Sequence, residues 1–272
     1  MLRSLQHFRE LSILATDGEI GQVDDVYVDD ESWTIRYWAV STGPWLFGRR
    51  VLLSPRSVEG CDWARKQLRV KLTREQVKNA PAVDLSAPVT RRWEADYHRY
   101  YGFPFYWGPA SAWGAAGVWG WPMGPAAAMG PIPSDATPGE DDRSRWPEEE
   151  LPDEPRIKSG ETLKTFTVVA EDGQEIGNVD DLLVDDADGR VRYLAIDTGS
   201  WWSGRKVLLS PDWIQNTIGP EGVLTVCLTR DAVRLAPEWS GNTPPTREYE
   251  EQLCRHYHRA RYWDTPAEKL AA

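Results

Sequence analysis

The chain has 272 residues, enough for two domains that each bury a core of their own. Its formal net charge is −11, and the imbalance lies mostly beyond residue 107: residues 1–107 carry 15 Lys/Arg and 14 Asp/Glu, residues 108–150 carry 2 and 7, and residues 151–272 carry 14 and 21. Affinity for nucleic acid comes largely from Lys and Arg that neutralise phosphates, so this balance argues against direct nucleic-acid binding.

The first ten residues lack the apolar run of a signal peptide, and the three cysteines (Cys61, Cys227 and Cys254) do not suggest a disulfide framework. A reducing, cytoplasmic compartment is therefore expected. Residues 103–134 are uncharged and long enough to span a bilayer, but six prolines interrupt them. We expect no transmembrane segment there, while peripheral membrane association through its tryptophans stays open.

One sequence is present twice, 156 positions apart. Residues 21–55 and 177–211 are identical at 20 of 35 positions without a gap, and the register continues beyond that block, for example from Ala80-Pro81 to Ala236-Pro237. Such agreement indicates duplication of one module. Whatever the protein does, it is expected to do with two copies of that module.

Each copy reads as short strands followed by helices. In chain order, alternating or continuous apolar runs predict strands over residues 26–28, 34–40, 51–53 and 68–72, and over 177–184, 191–196, 207–209 and 224–228. About five or six short strands in roughly 70 residues are typical of a small closed or nearly closed β-barrel.

Helices are predicted after the strands of each copy. Thr73 and Gln76 have the spacing of a capping box, and Pro81 ends the helix that they begin. Thr229 repeats the cap in the second copy. Residues 90–101 and 246–257 predict a further helix in each copy, and the aromatic row of the first is expected to pack on the barrel: Trp93, Tyr97 and Tyr101.

These patterns predict a mainly β protein with short helices, divided into four parts. Residues 1–107 form the first domain and residues 151–263 the second, each with a C-terminal helix. Residues 108–150 form a linker that is first rich in Gly, Pro, Ala and Trp and then acidic, a composition that favours flexibility. Residues 264–272 form a tail.

An ordered set of short motifs carries a family resemblance. In the first copy these are Asp17-Gly18, Ile20-Gly21, Val23-Asp24-Asp25, Arg36-Tyr37 and Gly48-Arg49-Arg50-Val51-Leu52-Leu53. The second copy has the same set at Asp172-Gly173, Ile176-Gly177, Val179-Asp180-Asp181, Arg192-Tyr193 and Gly204-Arg205-Lys206-Val207-Leu208-Leu209. Found twice in this order, the set resembles the PRC-barrel family.

The resemblance implies two small PRC-type β-barrels with docking roles. The family is known from the cytoplasmic domain of the H subunit of bacterial photosynthetic reaction centres and from the C-terminal domain of a ribosome-maturation factor. This chain departs from both, because it lacks a transmembrane helix like that of the H subunit and the other domain of the ribosome factor. The closer match is to bacterial proteins made of one or two PRC-barrels.

The repeated acidic pairs are the first candidate site: Asp24-Asp25 with Asp29-Asp30, and Asp180-Asp181 with Asp185-Asp186. A Ca²⁺ site needs six to eight oxygens on a chelating loop, and residues 186–189 supply a fragment of one that the first copy does not repeat. Turn chemistry accounts for Asp and Gly there. We therefore predict no metal and no other cofactor.

The glycine turns with neighbouring tryptophans are the second candidate site. Their cations and aromatic rings can hold a carboxylate or phosphate, or anchor a protein partner. The simpler interpretation is a solvated hairpin tip whose Trp shields the end of the barrel. If a recognition surface exists, we expect it at these residues: Trp45, Arg49, Arg50, Trp201, Trp202, Arg205 and Lys206.

The sequence gives little support for catalysis. The histidines are not shared between the copies, and no nucleophile elbow, phosphate-binding glycine loop or Cys-x-x-Cys pair is present. The leading hypothesis is a non-enzymatic module for protein interaction or assembly, with self-association or pairing of the two barrels as forms of it. The alternatives are a peripheral component of a membrane electron-transfer complex, resembling the H subunit, and a sensor of small anionic ligands.

Overall fold

The structure is a computed structural model that describes residues 1–103, 105–107, 157–199, 204–215, 222–241 and 243–264. The predicted linker over residues 108–150 lies outside the described residues, as do residues 265–272 of the predicted tail. The chain divides into two compact units, and each is mainly β with short helices. The predicted structural class is confirmed.

One unit comprises Gln6–Asp29 and Thr34–Ser159 and contains most of the first repeat. Its strands are β2 (Ser12–Ala15), β3 (Gly18–Asp29), β4 (Thr34–Thr42), β5 (Arg50–Leu53), β6 (Val58–Asp62), β7 (Gln67–Val70) and β8 (Ile157–Ser159). They form a seven-stranded sheet in the order β5-β4-β3-β2-β7-β6, with β8 paired to β3. The helices are α2 (Arg74–Asn79) and α3 (Arg91–Tyr101), and most of α1 (Leu5–Arg9) also lies in this unit.

The other unit comprises Met1–Leu5, Asp30–Trp33 and Gly160–Ala272. Its strands are β1 (Leu2–Ser4), β9 (Thr167–Val169), β10 (Glu175–Asp185), β11 (Val191–Asp197), β12 (Lys206–Leu209) and β13 (Val223–Thr225). They form a six-stranded sheet in the order β12-β11-β10-β9-β13, with β1 paired to β10. The helices are α4 (Gly160–Lys164), α5 (Arg230–Arg234) and α6 (Arg247–His256).

Both sheets are open in their strand order. Consecutive strands pair antiparallel at the centre, and β2 pairs with β7, and β9 with β13, in parallel. Within the described part of the chain, no pairing joins the two ends of either sheet. The prediction of strands is confirmed, whereas a closed barrel is not formed by the described pairings.

The short N-terminal strands are exchanged between the repeats. β1 comes from the first repeat and pairs antiparallel with β10 of the second, with Leu2 opposite Asp185. β8 begins the second repeat and pairs antiparallel with β3 of the first, with Ile157 opposite Asp29. The compact units thus follow the two repeats except for Met1–Leu5, Asp30–Trp33 and Ile157–Ser159.

A repeated glycine permits the close approach of the two long central strands. Gly21 has φ +158°, and a Cβ there would lie 2.0 Å from the carbonyl oxygen of Ser41 on β4. Gly177 has φ +155°, and its Cβ would lie 2.1 Å from the carbonyl oxygen of Asp197 on β11. Neither position has room for a side chain. The close approach of the two strands therefore requires glycine at positions 21 and 177.

Capped helices follow the strands, as predicted. Thr73 and Gln76 form the capping box of α2, and Thr90 caps α3 through the N–H of Trp93. α3 lies on β4, where the rings of Tyr37 and Tyr97 meet edge to face at 5.1 Å. The predicted packing of the aromatic row is confirmed for Tyr97 and Tyr101, which are both buried.

None of the described helices is long and apolar enough to cross a membrane.

Candidate functional site

The predicted recognition turn of the first repeat connects β4 and β5. Trp45 is half-buried, its indole N–H donates to the carbonyl oxygen of Ile20 at 2.6 Å, and the guanidinium of Arg74 lies 4.4 Å from its ring. Arg49 donates to the carbonyl oxygens of Lys78 and Ala80 at 3.4 and 3.5 Å. The turn is thus held by the surrounding backbone.

Its most exposed member is a residue that the sequence did not single out. Phe47, beside the turn glycine, has 98 % of its surface exposed and a left-handed backbone with φ 55°. Only a few per cent of non-glycine residues adopt this conformation. The turn, which the hydrogen bonds of Trp45 and Arg49 hold in place, therefore presents the ring of Phe47 to solvent.

Three of the other predicted site residues form ion pairs, and two lie outside the described residues. Arg50 pairs with Asp24, and Lys206 pairs with Asp180 at 2.7 Å, so the first aspartate of each motif neutralises the second cation. Arg205 pairs with Glu238 at 2.5 Å. The remaining two predicted residues, Trp201 and Trp202, lie outside the described residues.

The repeated aspartates that follow each acidic motif serve the fold. Asp29 accepts from Arg36 at 3.3 Å, and Asp185 accepts from Arg192 at 3.4 Å in the second repeat. Asp186 accepts from Arg3 on the exchanged strand at 2.7 Å. Among the described residues, no group of three or more His, Cys, Asp or Glu side chains is placed to hold a metal ion.

A buried glutamate forms a polar cluster under α3 that the sequence analysis did not find. Glu94 is 1 % exposed, and its Oε1 accepts from the hydroxyls of Tyr37 at 3.1 Å and Tyr106 at 2.5 Å. Its Oε2 lies 2.9 Å from Nη1 of Arg91, which also donates to the Tyr106 hydroxyl at 2.7 Å. His98 places Nε2 at 3.0 Å from the Tyr37 hydroxyl. We call these side chains the Glu94 cluster.

The second repeat builds the same cluster from residues 156 positions later. Glu250 is 3 % exposed and pairs with Arg247 at 3.1 Å, and Arg247 donates to the Tyr262 hydroxyl at 3.2 Å. Tyr193 stands where Tyr37 stands. Cys254 replaces His98, and Oε1 of Glu250 has no hydrogen-bond partner in the described part of the chain. The clusters are thus alike in their charged residues, but they differ in the residue that replaces His98 and in the hydrogen bonds that reach Oε1 of the glutamate.

Burial controls the acid–base behaviour of both glutamates. It raises the pKa of Glu94 to about 7, although Arg91 and the hydroxyls of Tyr106 and Tyr37 oppose this shift. Burial also raises the pKa of Glu250 against the opposing effect of Arg247. Each repeat therefore holds a carboxyl group whose charge responds to pH above the range of an exposed glutamate.

The same register that reveals the duplication could have revealed these clusters. Six residues in or beside the clusters are identical in the two copies: Arg36, Tyr37, Arg91, Glu94, Tyr106 and Trp107, repeated as Arg192, Tyr193, Arg247, Glu250, Tyr262 and Trp263. The Arg-Tyr pair on the strand was recognised as a motif. The glutamate was missed because a Glu on a short helix ordinarily faces water.

The described geometry and the repeat together define a tandem β protein whose two units carry the same buried cluster. The chain belongs to the PRC-barrel domain family: the family's sequence model matches residues 4–77 and 156–230, which together are more than half of the chain. The predicted family is confirmed. An uncharacterized protein of Deinococcus radiodurans is 30% identical over 99 residues, and the match covers 33% of this chain and 35% of the relative. The match spans about a third of the length of that relative.

Proposed function

We propose that the chain is a non-enzymatic, cytoplasmic module for protein interaction or assembly, and that the turn between β4 and β5 is its contact surface. One observation carries the proposal, which is the almost complete exposure of Phe47 on a turn fixed by Trp45 and Arg49. Leaving a phenylalanine ring in water costs free energy that a partner recovers when it covers the ring.

The two predicted sites suit a protein partner better than a small anion. Of their described cations, Arg50, Arg205 and Lys206 are paired with carboxylates. An anion would have to displace those carboxylates. An exposed aromatic ring on a turn that also carries a paired cation, Arg50, has the composition of an interface anchor with a polar neighbour.

Site-specific photo-crosslinking tests the proposal. The photoreactive residue p-benzoylphenylalanine replaces Phe47 in the full chain, in cells that naturally express the protein. Leu235 is the matched control position, since it is apolar and 70% exposed but lies outside the turn. We expect a discrete adduct from position 47 that is absent from position 235. Its mass identifies a partner protein or a second copy of the chain.

A substitution provides the second arm. Phe47→Asn removes the ring and keeps the left-handed backbone, which asparagine tolerates better than most residues. When the partner found by crosslinking is purified, we expect Phe47→Asn to weaken its binding and Leu235→Asn to leave it unchanged. Absence of an adduct above background at position 47, or equal adducts at both positions, would overturn the proposed surface.

A further inference from the structure

A Tyr-Trp pair occupies the same place in both repeats. Tyr106 and Trp107 follow α3, and Tyr262 and Trp263 follow α6. All four side chains are half-buried, so they cover their surroundings without being enclosed by them. Each pair therefore lies on its unit as a short surface segment.

Charged groups hold each pair. The ring of Tyr106 lies 3.9 Å from the guanidinium of Arg36, its hydroxyl lies between Glu94 and Arg91, and the ring of Trp107 lies 4.4 Å from Arg91. Guanidinium groups over aromatic faces and a hydroxyl bonded to a carboxylate are directional contacts. They recognise the two aromatic side chains in a fixed order.

The second repeat makes equivalent contacts. Arg192 lies 4.3 Å from the ring of Tyr262, and Arg247 lies 4.0 Å from the ring of Trp263. Arg247 also donates to the hydroxyl of Tyr262. Two instances built from the same residue types show that the arrangement is a property of the module.

The groups that hold the pair are more deeply buried than the pair itself. In the first repeat Arg36 is 9 % exposed, Arg91 is 4 % and Glu94 is 1 %. An apolar lining would cover the core without the cost of removing two guanidinium groups and a carboxyl group from water. A charged, buried base under a half-buried aromatic segment has the composition of a binding site filled by its own chain.

We propose that Arg36, Tyr37, Arg91 and Glu94 form a docking site for a segment of a partner protein that presents adjacent Tyr and Trp residues, and that residues 105–107 occupy this site as an intramolecular ligand. Glu250, Arg247 and Arg192 form the same site in the second repeat. This inference goes beyond the contact surface at Phe47 and does not depend on it. The partner competes with the chain's own segment for each site.

Peptide binding to the full chain tests the inference. The vacated variant carries Tyr106→Ala and Trp107→Ala, and the probe is a fluorescein-labelled peptide of residues 102–109. Fluorescence anisotropy is expected to show that the vacated variant binds the peptide at least about tenfold more tightly than the wild-type chain, whose own segment competes. The variant Tyr262→Ala with Trp263→Ala is expected to gain the same affinity.

Two controls locate the binding. A peptide in which Phe replaces the Tyr is expected to bind the vacated variant about tenfold more weakly, because it lacks the hydroxyl that bridges the carboxylate and Arg91. Adding Glu94→Gln to the vacated variant is expected to weaken binding of the parent peptide as well. Equal binding to wild-type and vacated chains would place the peptide elsewhere and overturn the proposal.

A folding control keeps the test decisive. If the double substitution abolishes cooperative unfolding, the variant Tyr106→Phe is used in its place, because it keeps the ring and loses only the hydroxyl. This variant is also expected to bind the peptide more tightly than the wild-type chain does. No binding by a folded variant would overturn the inference. Mixed dimers of vacated and wild-type chains would assign the ligand to a second copy and overturn the assignment to another protein.

Discussion

The hydroxyl of Tyr106 lies 2.5 Å from Oε1 of Glu94, and this contact joins a segment at the surface to a carboxyl group withdrawn from water. The groups that face the carboxyl come from three elements. Arg91 is on α3, Tyr37 is on β4 and Asp29 is at the end of β3. The charge on Glu94 is thus balanced locally, and burial still favours its neutral form.

The stability of the first-repeat unit is expected to depend on pH through Glu94. Its pKa in the folded protein is about 7, above the ordinary value of 4.5, so the stability that it contributes is present below pH 4.5 and is lost as the pH rises towards 7. Glu94→Gln cannot ionise and is expected to remove that loss, which is worth roughly 3 kcal/mol at most.

Chemical denaturation at a series of pH values provides the measurement. The variant and the wild type are expected to have similar free energies of unfolding near pH 4.5, where both side chains are neutral, and the variant is expected to be the more stable above pH 7. Low pH therefore serves as the internal control. Parallel profiles across the whole range would show that Glu94 does not titrate in this way.

The thiol of Cys254 is expected to resist alkylation at neutral pH. The residue is 4 % exposed, and burial beside the Glu250 carboxylate raises the pKa of its thiol, so little thiolate forms. Cys61 and Cys227 are less buried and are expected to react first with iodoacetamide. Mass spectrometry of digested samples measures the order, and reaction of all three after denaturation is the control. Early labelling of Cys254 would contradict the packing of α6.

Local patterns in the sequence were sufficient for the central strands and for the helices that follow them. Apolar runs predicted the central strands, and Thr90 and Thr246 predicted the starts of α3 and α6. These features depend on neighbours within a few residues. The predicted turn at Trp45 was found where expected, but its packing against Arg74 required the folded chain.

Features set by distant residues were not predicted. Strands of three residues such as β1 and β8 have too little periodicity to be recognised, and their partners are chosen by the tertiary fold. Glu94 was overlooked for a different reason, because its burial depends on Tyr37 and Tyr106, which only the fold brings to it. The six residues in or beside the clusters that the two repeats share were the signal in the sequence that could have revealed the buried glutamate.

Replacing the repeated glycine is expected to destabilise either unit. Gly177→Ala would place a methyl group 2.1 Å from the carbonyl oxygen of Asp197, closer than real contacts, and Gly21→Ala would do the same at Ser41. The strands must separate, and we expect a loss of about 2–3 kcal/mol or more. Gly43→Ala is the matched control, because its nearest neighbour would lie 3.8 Å away. Thermal unfolding measures the difference, and equal melting temperatures for Gly43→Ala and Gly177→Ala would contradict the close approach.

Because the N-terminal strands are exchanged, a substitution in the N-terminal strand of one repeat is expected to loosen the sheet formed by the other repeat. Leu2 is 5 % exposed on β1, and Ile157 is 3 % exposed on β8. Leu2→Ala is expected to cost about 2 kcal/mol and to speed hydrogen exchange in β10, near Val184. Ile157→Ala is expected to have the corresponding effect in β3, near Val28.

The two variants control each other in hydrogen-exchange mass spectrometry. Leu2→Ala should affect β10 more than β3, and Ile157→Ala should affect β3 more than β10, because each removed side chain supports the sheet that receives its strand. If each N-terminal strand instead completed the sheet of its own repeat, the pattern would be reversed. Faster exchange in β10 for Leu2→Ala and in β3 for Ile157→Ala would therefore show that the N-terminal strands are exchanged between the repeats.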